Sequence, residues 1–306
     1  MLLTMCSVAR HKHFIVRLSG GLGNQMFQYA FGLALAHRGA RVEYDLSWFD
    51  EVHRTNLTVR DYELALAFNL SLPLANRRLI RRWSNAHGCK LMRAIRYFAG
   101  RKKKTHICEQ DFGGFGYHPE VWTLERGYLE GYWQSLPYLN GVEDTIRRQF
   151  AFTDIIDNQN RQYLEVIHGV QAVAVHVRRG DYLSSTNGLV PLSAHYYHQA
   201  INILARRVSQ PVFFIFSDDI PWARDNLGLT DAVFIQGNEG AAAFRDMQLM
   251  SQCRHVICAN SSFSWWAAWL NPFLDKKVII PADYGQPDRL CAQGWTRLET
   301  QESTES

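Results

Sequence analysis

The feature that most constrains the fold is a regular alternation of short apolar runs and helical patterns in the second half of the chain. The apolar runs are Ala172–Val177, Val212–Phe216, Ala232–Ile235, His255–Cys258 and Val278–Ile280. The helical patterns between them cover residues 193–207, 220–227, 241–252 and 262–269. Such an alternation predicts a parallel sheet with helices packed on its faces. Ligands of open parallel sheets bind beyond the carboxyl ends of the strands, so the residues after each run are the first candidates for a site.

The first half of the chain begins in the same way. Phe14–Leu18 suits a strand, Asn24–His37 a helix and Arg41–Asp45 a second strand. Longer helical and irregular segments follow, up to an amphipathic stretch around Glu143–Phe150. A chain of 306 residues with 47% hydrophobic content is long enough for two cores. We therefore predict an α/β protein with two domains, residues 1–170 and 171–306.

A glycine-rich turn, SGGLGNQMFQYA, joins the first predicted strand to its helix. Such a turn at a helix N-terminus is typical of dinucleotide-binding sites, and acidic residues follow in the next strand as that fingerprint requires. However, Met26 stands where the third glycine is expected, and two side-chain amides lie in the turn. A Rossmann oxidoreductase therefore stays an alternative. The candidate ligand contacts here are Gly21, Gly23, Asn24 and Gln25.

Cysteine usage and hydropathy exclude several classes of protein. The six cysteines are scattered, with no Cys-x-x-Cys pair and no histidine cluster at zinc spacing, so we expect buried thiols and no metal site. No run approaches the ~18 apolar residues of a membrane span, and no signal-peptide segment is found. We expect a cytoplasmic protein without a nucleic-acid partner.

Residues 76–104 form a basic segment with eleven Lys or Arg residues and no acidic residue. Apolar residues are interleaved with the basic ones roughly as on an amphipathic helix. Such segments bind anionic membrane surfaces, so one interpretation is peripheral contact with the inner face of the cell membrane. The other is a solvated basic face whose apolar side lies in the core.

Two adjacent arginines, Arg178 and Arg179, follow the run AVAVHV. A guanidinium group binds phosphate oxygens through two parallel hydrogen bonds, and a departing diphosphate needs its charge neutralised. The same segment contains Arg179-Gly180-Asp181, an adhesion tripeptide, so a non-catalytic glycan-binding or adhesion protein is an alternative. A structural alternative is an Arg–Asp pair that ties the loop.

Two neighbouring acids, Asp218 and Asp219, end the run VFFIFSDD. A carboxylate accepts paired hydrogen bonds from the N1–H and N2 amino groups of guanine. Paired acids also bind hard cations, but such a site needs further oxygen ligands. One of the two acids can instead cap the helix that we predict to include Pro221 in its first turn.

The segment Asn260-Ser261-Ser262-Phe263-Ser264 closely follows the apolar run that ends at Cys258. Its hydroxyl and backbone N–H groups would stand at the positive end of the next helix, which makes it a good phosphate site. Capping alone would use one serine. The tryptophans of that helix are expected to pack it onto the sheet, and one of them could stack on a sugar. They are Trp265, Trp266 and Trp269.

Five motifs, GGLGNQMFQYAFG, YLEGYWQS, HVRRGDYL, FSDD and ANSSFSWWAAWLN, occur in the order and approximate spacing of bacterial GDP-fucose-dependent α-1,2-fucosyltransferases, glycosyltransferase family 11. The resemblance extends from about Phe14 to Pro281. It implies a GT-B fold of two facing Rossmann-like domains, with the donor bound mainly by the second. It also implies inverting transfer of L-fucose from GDP-β-L-fucose to O2 of a terminal galactose, without metal or cofactor. The acceptor would be a surface glycan of the O-antigen type, and one form of this expectation is that the glycan is still linked to a lipid.

The resemblance also implies roles for single residues. Arg178 would be the main diphosphate ligand with Arg179 beside it, while His176 and Asp219 would contact guanine. The implied donor-binding set in the second half is His176, Arg178, Arg179, Asp218, Asp219, Asn260, Ser261, Ser262, Phe263 and Ser264. A fucosyltransferase of different linkage or acceptor is the alternative within this class.

The catalytic base is left open by the resemblance. Some relatives carry a carboxylate in the loop after the motif histidine, whereas this chain has Ser185, Thr186 and Asn187 there. Asp181 and His195 are the candidates. A transition state with oxocarbenium character also allows catalysis without a strong base. The amide of Asn24 is a further catalytic candidate, because it could bond a sugar hydroxyl or the moving diphosphate oxygen.

Overall fold

Two parallel β-sheets form the framework of the protein, one in each half of the chain. The computed structural model describes residues 12–52, 61–85, 104–155, 157–183, 190–282 and 289–300. The first sheet contains β1 (His13–Arg17), β2 (Arg41–Asp45), β3 (His106–Cys108) and β4 (Arg126–Glu130), in the order β2-β1-β4-β3. The second contains β5 (Gln171–Val177), β6 (Pro211–Ser217), β7 (Val233–Phe234), β8 (His255–Ile257), β9 (Val278–Pro281) and β10 (Thr296–Leu298), in the order β10-β9-β8-β5-β6-β7. The predicted fold class, α/β with two Rossmann-like units that each contain a sheet of parallel strands, is confirmed.

A helix lies within a few residues of each predicted helical stretch, 24–37, 193–207, 220–227, 241–252 and 262–269, and further helices were not predicted. In the described residues the helices are α1 (Leu22–His37), α2 (Ser47–Val52), α3 (Leu64–Phe68), α4 (Arg77–Trp83), α5 (Glu143–Gln149), α6 (Asn158–Gly169), α7 (Gly180–Leu183), α8 (Ala194–Arg207), α9 (Ile220–Asn226), α10 (Phe244–Gln252) and α11 (Ser262–Leu270). Short 3₁₀ turns are found at Glu109–Phe112, Pro119–Thr123, Leu136–Leu139 and Gly240–Ala242.

Strand β5 shows why the second half forms a parallel sheet. Every residue after Gln171 in this strand is buried, because β6 and β8 flank it and helices cover both faces. Two of the helices that follow these strands start at side-chain caps: Asp219 caps α9 and Ser261 caps α11. Each cap satisfies a free backbone N–H at the carboxyl edge of the sheet and fixes where the helix begins.

The predicted domain boundary at residue 170 falls directly before β5. The helix before it, however, already packs on the second half. Asn160 of α6 donates a 2.7 Å hydrogen bond to Asn238, which in turn donates to Asp246 of α10 at 2.8 Å. By its contacts, therefore, α6 belongs with the second sheet.

Helices α1 and α11 pack against each other and join the two halves. The ring of Phe27 lies 4.7 Å from that of Trp265 and 4.8 Å from that of Trp266, and Trp266 Nε1 donates to the carbonyl of Gly23 at 3.0 Å. Besides packing α11 onto the sheet as predicted, these indoles therefore also pack it against α1, a contact that the sequence did not predict. Both are fully buried and Trp269 is nearly so, which leaves no ring free to stack on a sugar.

The described part of the basic segment has an apolar side in the core and a basic side that is exposed. Ile80 and Trp83 of α4 are buried against Ile15 and Tyr128 of the first sheet. The four arginines of α4 are exposed. The rest of the predicted membrane segment, residues 86–103, lies outside the described residues. Among the helices that the structure describes, none has the length and apolar character needed to cross a membrane.

Candidate active site

Polar side chains from three adjacent strands meet at one edge of the second sheet. Strands β8, β5 and β6 are parallel neighbours, so their carboxyl ends lie side by side. Arg178 and Arg179 follow β5, Asp218 and Asp219 follow β6, and residues 260–264 follow β8. The structure thus brings the three predicted groups together.

Arg178 is held by two carboxylates. Its Nη2 lies 2.8 Å from Asp181 Oδ1, and its Nη1 lies 2.9 Å from Asp218 Oδ2. Burial alone would lower the pKa of Arg178, but the two carboxylates outweigh burial and raise it. About a quarter of the side chain is exposed (23%), so this fixed and charged fork is open to a ligand.

Arg179 is held in a similar way. Its Nε lies 3.1 Å from Asp219 Oδ2, and its guanidinium carbon lies 4.1 Å from the ring centre of Trp222. Asp219 also caps α9 by accepting a hydrogen bond from the backbone N–H of Trp222 at 3.1 Å, so the predicted capping role belongs to Asp219. Because Arg179 and Asp181 both form ion pairs within the chain, the adhesion tripeptide is not a freely displayed loop.

The buried polar atoms at this edge that have no hydrogen-bond partner among the described residues include His176 Nδ1 and Asn260 Oδ1. His176 lies beside Phe263, with ring centres 5.7 Å apart. Burial, reinforced by the charge of Arg178, lowers the pKa of His176 to about 3, so the imidazole is neutral near pH 7. A neutral imidazole offers one donor and one acceptor. Such buried atoms are available for hydrogen bonds to a ligand or to ordered water.

The three serines at the start of α11 have separate structural partners. Ser261 caps the helix by accepting from the N–H of Phe263 at 3.3 Å. The hydroxyl of Ser262 donates to Asn24 at 2.9 Å. Ser264 is fully buried and accepts from the N–H of Ala259 at 3.2 Å. The expected phosphate contact of Ser264 is therefore corrected: this hydroxyl braces the turn before the helix.

The glycine turn of the first sheet reaches the start of α11. Gly21 occupies the N-cap position of α1 and offers no side-chain cap. A Cβ on Gly23 would lie 2.6 Å from both the carbonyl carbon and the hydroxyl of Ser262, so only glycine allows this approach of the two helices. Asn24 does not cap α1; its Oδ1 accepts from Ser262 and, at 2.8 Å, from Gln134.

The predicted ligand role of Gln25 does not fit its contacts. Its side chain is fully buried. Its Nε2 donates to the carbonyls of Gly20 and Asp61 at 2.9 and 2.8 Å, and its Oε1 accepts from the N–H of Glu63 at 2.9 Å. Because these backbone groups use its amide, Gln25 fixes the glycine turn and does not face a ligand.

The acidic residues of β2 are also used inside the fold. Asp45 accepts from the hydroxyl of Tyr128 at 2.8 Å and from the N–H of Ser47 at 2.9 Å. Glu43 pairs with His13 at 2.6 Å. Neither matches the free carboxylate that a dinucleotide-binding fold directs at a ribose. These contacts disfavour the oxidoreductase alternative.

The two candidates for the catalytic base differ in position. Asp181 lies within the arginine cluster. His195 lies in the first turn of α8, where its Nε2 is 2.7 Å from the amide of Gln199. Ser185, Thr186 and Asn187, where some relatives carry a carboxylate, lie outside the described residues.

A second cluster of ionisable groups lies at the carboxyl edge of the first sheet. Ligand atoms of His106, Cys108 and Glu130 lie within 4.8 Å of one another, a grouping that sequence spacing did not predict. Glu130 pairs with His106 at 2.9 Å and with Arg17 at 2.6 Å. Burial would raise the pKa of Glu130, but these partners outweigh burial and lower it. The guanidinium of Arg17 already supplies the positive charge that a metal ion would bring.

Sequence reasoning missed three residues that complete the site. The hydroxyl of Tyr182 donates to the carbonyl of Asn260 at 3.0 Å and so links the loops after β5 and β8. Trp222 packs on Arg179, and Gln134 bonds Asn24. Tyr182 and Gln134 both lie in motifs shared with the family, but only the fold shows their partners.

The sequence of this chain is similar to those of known glycosyltransferases. The sequence is 32% identical to "Alpha-1,2-colitosyltransferase" of Escherichia coli, over 93% of this chain and 98% of that protein. It is 31% identical to "O-antigen biosynthesis glycosyltransferase WbnK" of Escherichia coli, over 92% and 99%. It is 30% identical to mouse "Galactoside alpha-(1,2)-fucosyltransferase 2", over 90% and 72%.

The sequence model described as "Glycosyl transferase family 11" matches residues 4–293, nearly the whole chain. The match includes the whole first sheet, strands β5 to β9 of the second sheet, the glycine turn and all three strand ends that form the site. The family expected from the five motifs is thus confirmed. The chain belongs to glycosyl transferase family 11.

Proposed function

We propose that this enzyme is an inverting galactoside α-1,2-fucosyltransferase that moves L-fucose from GDP-β-L-fucose to O2 of a terminal galactose in an O-antigen-type glycan. The observation that carries the proposal is the meeting of a guanidinium pair with two helix N-termini. Arg178 and Arg179 lie at the edge where α11 begins, and Asn24 and Ser262 bond across the starts of α1 and α11. Helix N-termini and guanidinium groups together favour a diphosphate.

The donor binds at the carboxyl edge of the second sheet. The diphosphate replaces carboxylates as the partner of Arg178, while His176 and Asp219 contact the guanine. The unpartnered atoms His176 Nδ1 and Asn260 Oδ1 are ready for hydrogen bonds from a ligand. Asp218 and Phe263 complete the donor contacts.

In the transfer step, the bond between C1 of fucose and the β-phosphate oxygen breaks, and its electron pair stays on the diphosphate. Arg178 and Arg179 neutralise this charge. The galactose O2 attacks C1 from the opposite face, which converts the β-linked donor into an α-linked product. The O2 proton leaves to Asp181, which Arg178 releases when it turns to the diphosphate, or to His195; late deprotonation also allows solvent to take it.

The glycine turn meets the fucosyl end of the donor and the acceptor hydroxyl. Asn24 is half-buried and lies beside Ser262 at the start of α11. Its amide bonds the moving diphosphate oxygen or a sugar hydroxyl. In this role Asn24→Ala lowers kcat strongly and leaves GDP affinity within a few-fold.

One observation makes colitose a second candidate for the donor sugar. The 32% identical relative is named a colitosyltransferase, and colitose is fucose without its 3-hydroxyl group. Fucose is the preferred donor here if the site bonds that hydroxyl, because a polar group built to hold a hydroxyl rejects the analogue without it.

The experiment is an acceptor panel. The enzyme is incubated with GDP-fucose or GDP-colitose and with galactosides that differ in their second sugar, and the product linkage is assigned by NMR. An α-1,2-linked fucosyl galactoside supports the proposal. Transfer to another position, or GDP release without transfer, contradicts it.

The enzyme works in the cytoplasm, at the inner face of the membrane where lipid-linked acceptors are found. The exposed arginines of α4 support this part of the proposal, since each basic residue near an anionic surface adds roughly 1 kcal/mol. Co-sedimentation with anionic liposomes tests it. If reversing Arg101, Lys102, Lys103 and Lys104 to Glu changes nothing, the basic segment is only a solvated face.

A further inference from the structure

Asn24 is bonded from both halves of the protein through a single atom. Its Oδ1 accepts from Gln134 Nε2 at 2.8 Å and from Ser262 Oγ at 2.9 Å. An amide oxygen has two acceptor positions, so these bonds use both. Asn24 Nδ2 makes no hydrogen bond to any of the described residues. The NH₂ group is therefore the part of the side chain that can still donate hydrogen bonds to a ligand.

The position of Nδ2 is set by the glycine turn. A Cβ built on Gly20 would lie 2.6 Å from Asn24 Nδ2, so the NH₂ group lies over the backbone of Gly20. Gly20 has φ +75°, a conformation that other residues rarely adopt. The turn thus makes room for the amide on one side, while Gln134 and Ser262 hold it from the other.

Gln134 is itself rigidly mounted. The preceding residue, Trp133, has φ +54°, is fully buried and stacks on Phe31 with ring centres 4.4 Å apart. A bulky residue in the left-handed region is strained and persists only when its surroundings require it. Glu109 accepts from the N–H of Tyr132 at 2.8 Å, and Arg289 Nε donates to the carbonyl of Gln134 at 2.7 Å. The segment from Tyr132 to Gln134 is therefore fixed at both ends.

We infer that Gln134 is a positioning residue that sets the orientation of the Asn24 amide, so that its NH₂ group, and not its oxygen, faces the reacting sugar nucleotide. The chemical class of the group that it meets is then an acceptor: a diphosphate oxygen or a sugar oxygen. This inference rests on the proposed function for the identity of the substrate. The orientation of the amide does not depend on it.

The test is the substitution Gln134→Glu. A carboxylate only accepts hydrogen bonds, so it cannot donate to Asn24 Oδ1 and instead draws the NH₂ group away from the ligand. We expect kcat to fall at least about tenfold, while the KM for GDP-fucose and the Kd for GDP stay within about threefold. In an Asn24→Ala background, Gln134→Glu should have no further effect on kcat.

A matched control is Gln149→Glu. Gln149 accepts from the hydroxyl of Tyr29 at 2.7 Å, and a carboxylate keeps that bond. This variant makes the same change of charge in the same half of the protein, so we expect parental kcat. The melting temperature of each variant shows whether it is folded.

A second readout needs no turnover. The side-chain NH₂ signals of Asn24 in a ¹⁵N spectrum are identified by their loss in Asn24→Ala. They should shift in Gln134→Glu and stay in place in Gln149→Glu. If the parent enzyme transfers no sugar, the proposed function fails, and the NMR arm still tests the orientation.

Three results would overturn the inference. The first is a Gln134→Glu enzyme with parental kcat, which means that the amide faces the ligand in the opposite sense. The second is an equal loss of kcat with and without Asn24, which means that Gln134 only supports the fold. The third is an unchanged NH₂ signal of Asn24 in Gln134→Glu.

Discussion

Arg178 and Asp218 form an ion pair across the carboxyl ends of two neighbouring strands, with Nη1 2.9 Å from Oδ2. Asp181 binds the other terminal nitrogen of the same guanidinium at 2.8 Å. A long side chain at the mouth of a site is thus held in one position before any ligand arrives. In the proposed donor complex a diphosphate takes the place of a carboxylate, and little side-chain entropy would then remain to be lost on binding.

The first prediction concerns Arg178. Arg178→Ala should lower kcat/KM by at least the ~10²–10³-fold typical of losing one transition-state donor. Arg178→Lys should recover little, because an ammonium group cannot reproduce the planar fork. Steady-state kinetics with GDP-fucose and a galactoside measure both. Near-normal turnover in either variant would remove Arg178 from the mechanism.

The second prediction concerns divalent ions. Asp218 and Asp219 are each paired with an arginine, so the donor set at this edge suits a diphosphate better than a hard cation. We expect full activity in EDTA. Loss of activity that Mg²⁺ or Mn²⁺ restores would contradict this prediction.

The third prediction concerns the contact between α1 and α11. In Gly23→Ala the new methyl group would meet the backbone and hydroxyl of Ser262 at 2.6 Å, so one helix must shift. Overpacking of this kind costs about 1–3 kcal/mol in the free energy of unfolding, and the shift should also lower kcat because Asn24 moves with α1. Denaturant unfolding and kinetics measure the two effects.

The control for this change is Gly169→Ala at the end of α6, where an added Cβ has no neighbour within 4 Å. It should leave both stability and kcat close to those of the parent. Equal behaviour of the two alanine variants would show that the close approach of the helices is unimportant.

The fourth prediction concerns pH. Burial raises the pKa of Asp246 to about 7, while its bond from Asn238 acts in the opposite direction. Because the folded-state pKa lies above the unfolded value of about 3.9, this group's contribution to stability is full below about pH 4 and is lost as pH rises through about 7. Asp246→Asn cannot ionise and keeps an oxygen for Asn238.

Its free energy of unfolding, relative to the parent, should therefore increase between pH 4 and pH 8 by more than about 1.4 kcal/mol, the equivalent of one pKa unit. Urea unfolding at a series of pH values measures this. A difference between variant and parent that does not change with pH would show that Asp246 titrates normally in the folded protein.

Much of the fold was predictable because parallel strands leave a strong local signal. The apolar run at Ala172–Val177 matches β5 to within one residue, since a strand buried on both faces must be apolar throughout. Strand β3 was missed. It has three residues and contains a histidine and a cysteine that join an ionic cluster, so no apolar run marks it.

The part of the site that lies at strand ends was predictable from the sequence. Arg178 and Asp218 follow strands that the sequence identifies, and sheet order alone brings them together. The partners of Gln25 and Ser264 were not predictable, because polar residues in a family motif look alike whether they bind a ligand or the chain's own backbone. Only burial and contacts separate the two cases.

The packing of Phe27 on Trp265 and Trp266 has a consequence for how this enzyme can be recombined. The buried cluster that contains these rings also includes Phe14 of the first sheet and Phe214 of the second. A chimaera that takes its second half from a relative would place foreign indoles against the native α1. Exchange of the second half between relatives therefore has to carry α1 and α11 together, although the boundary near residue 170 separates these two helices in the sequence.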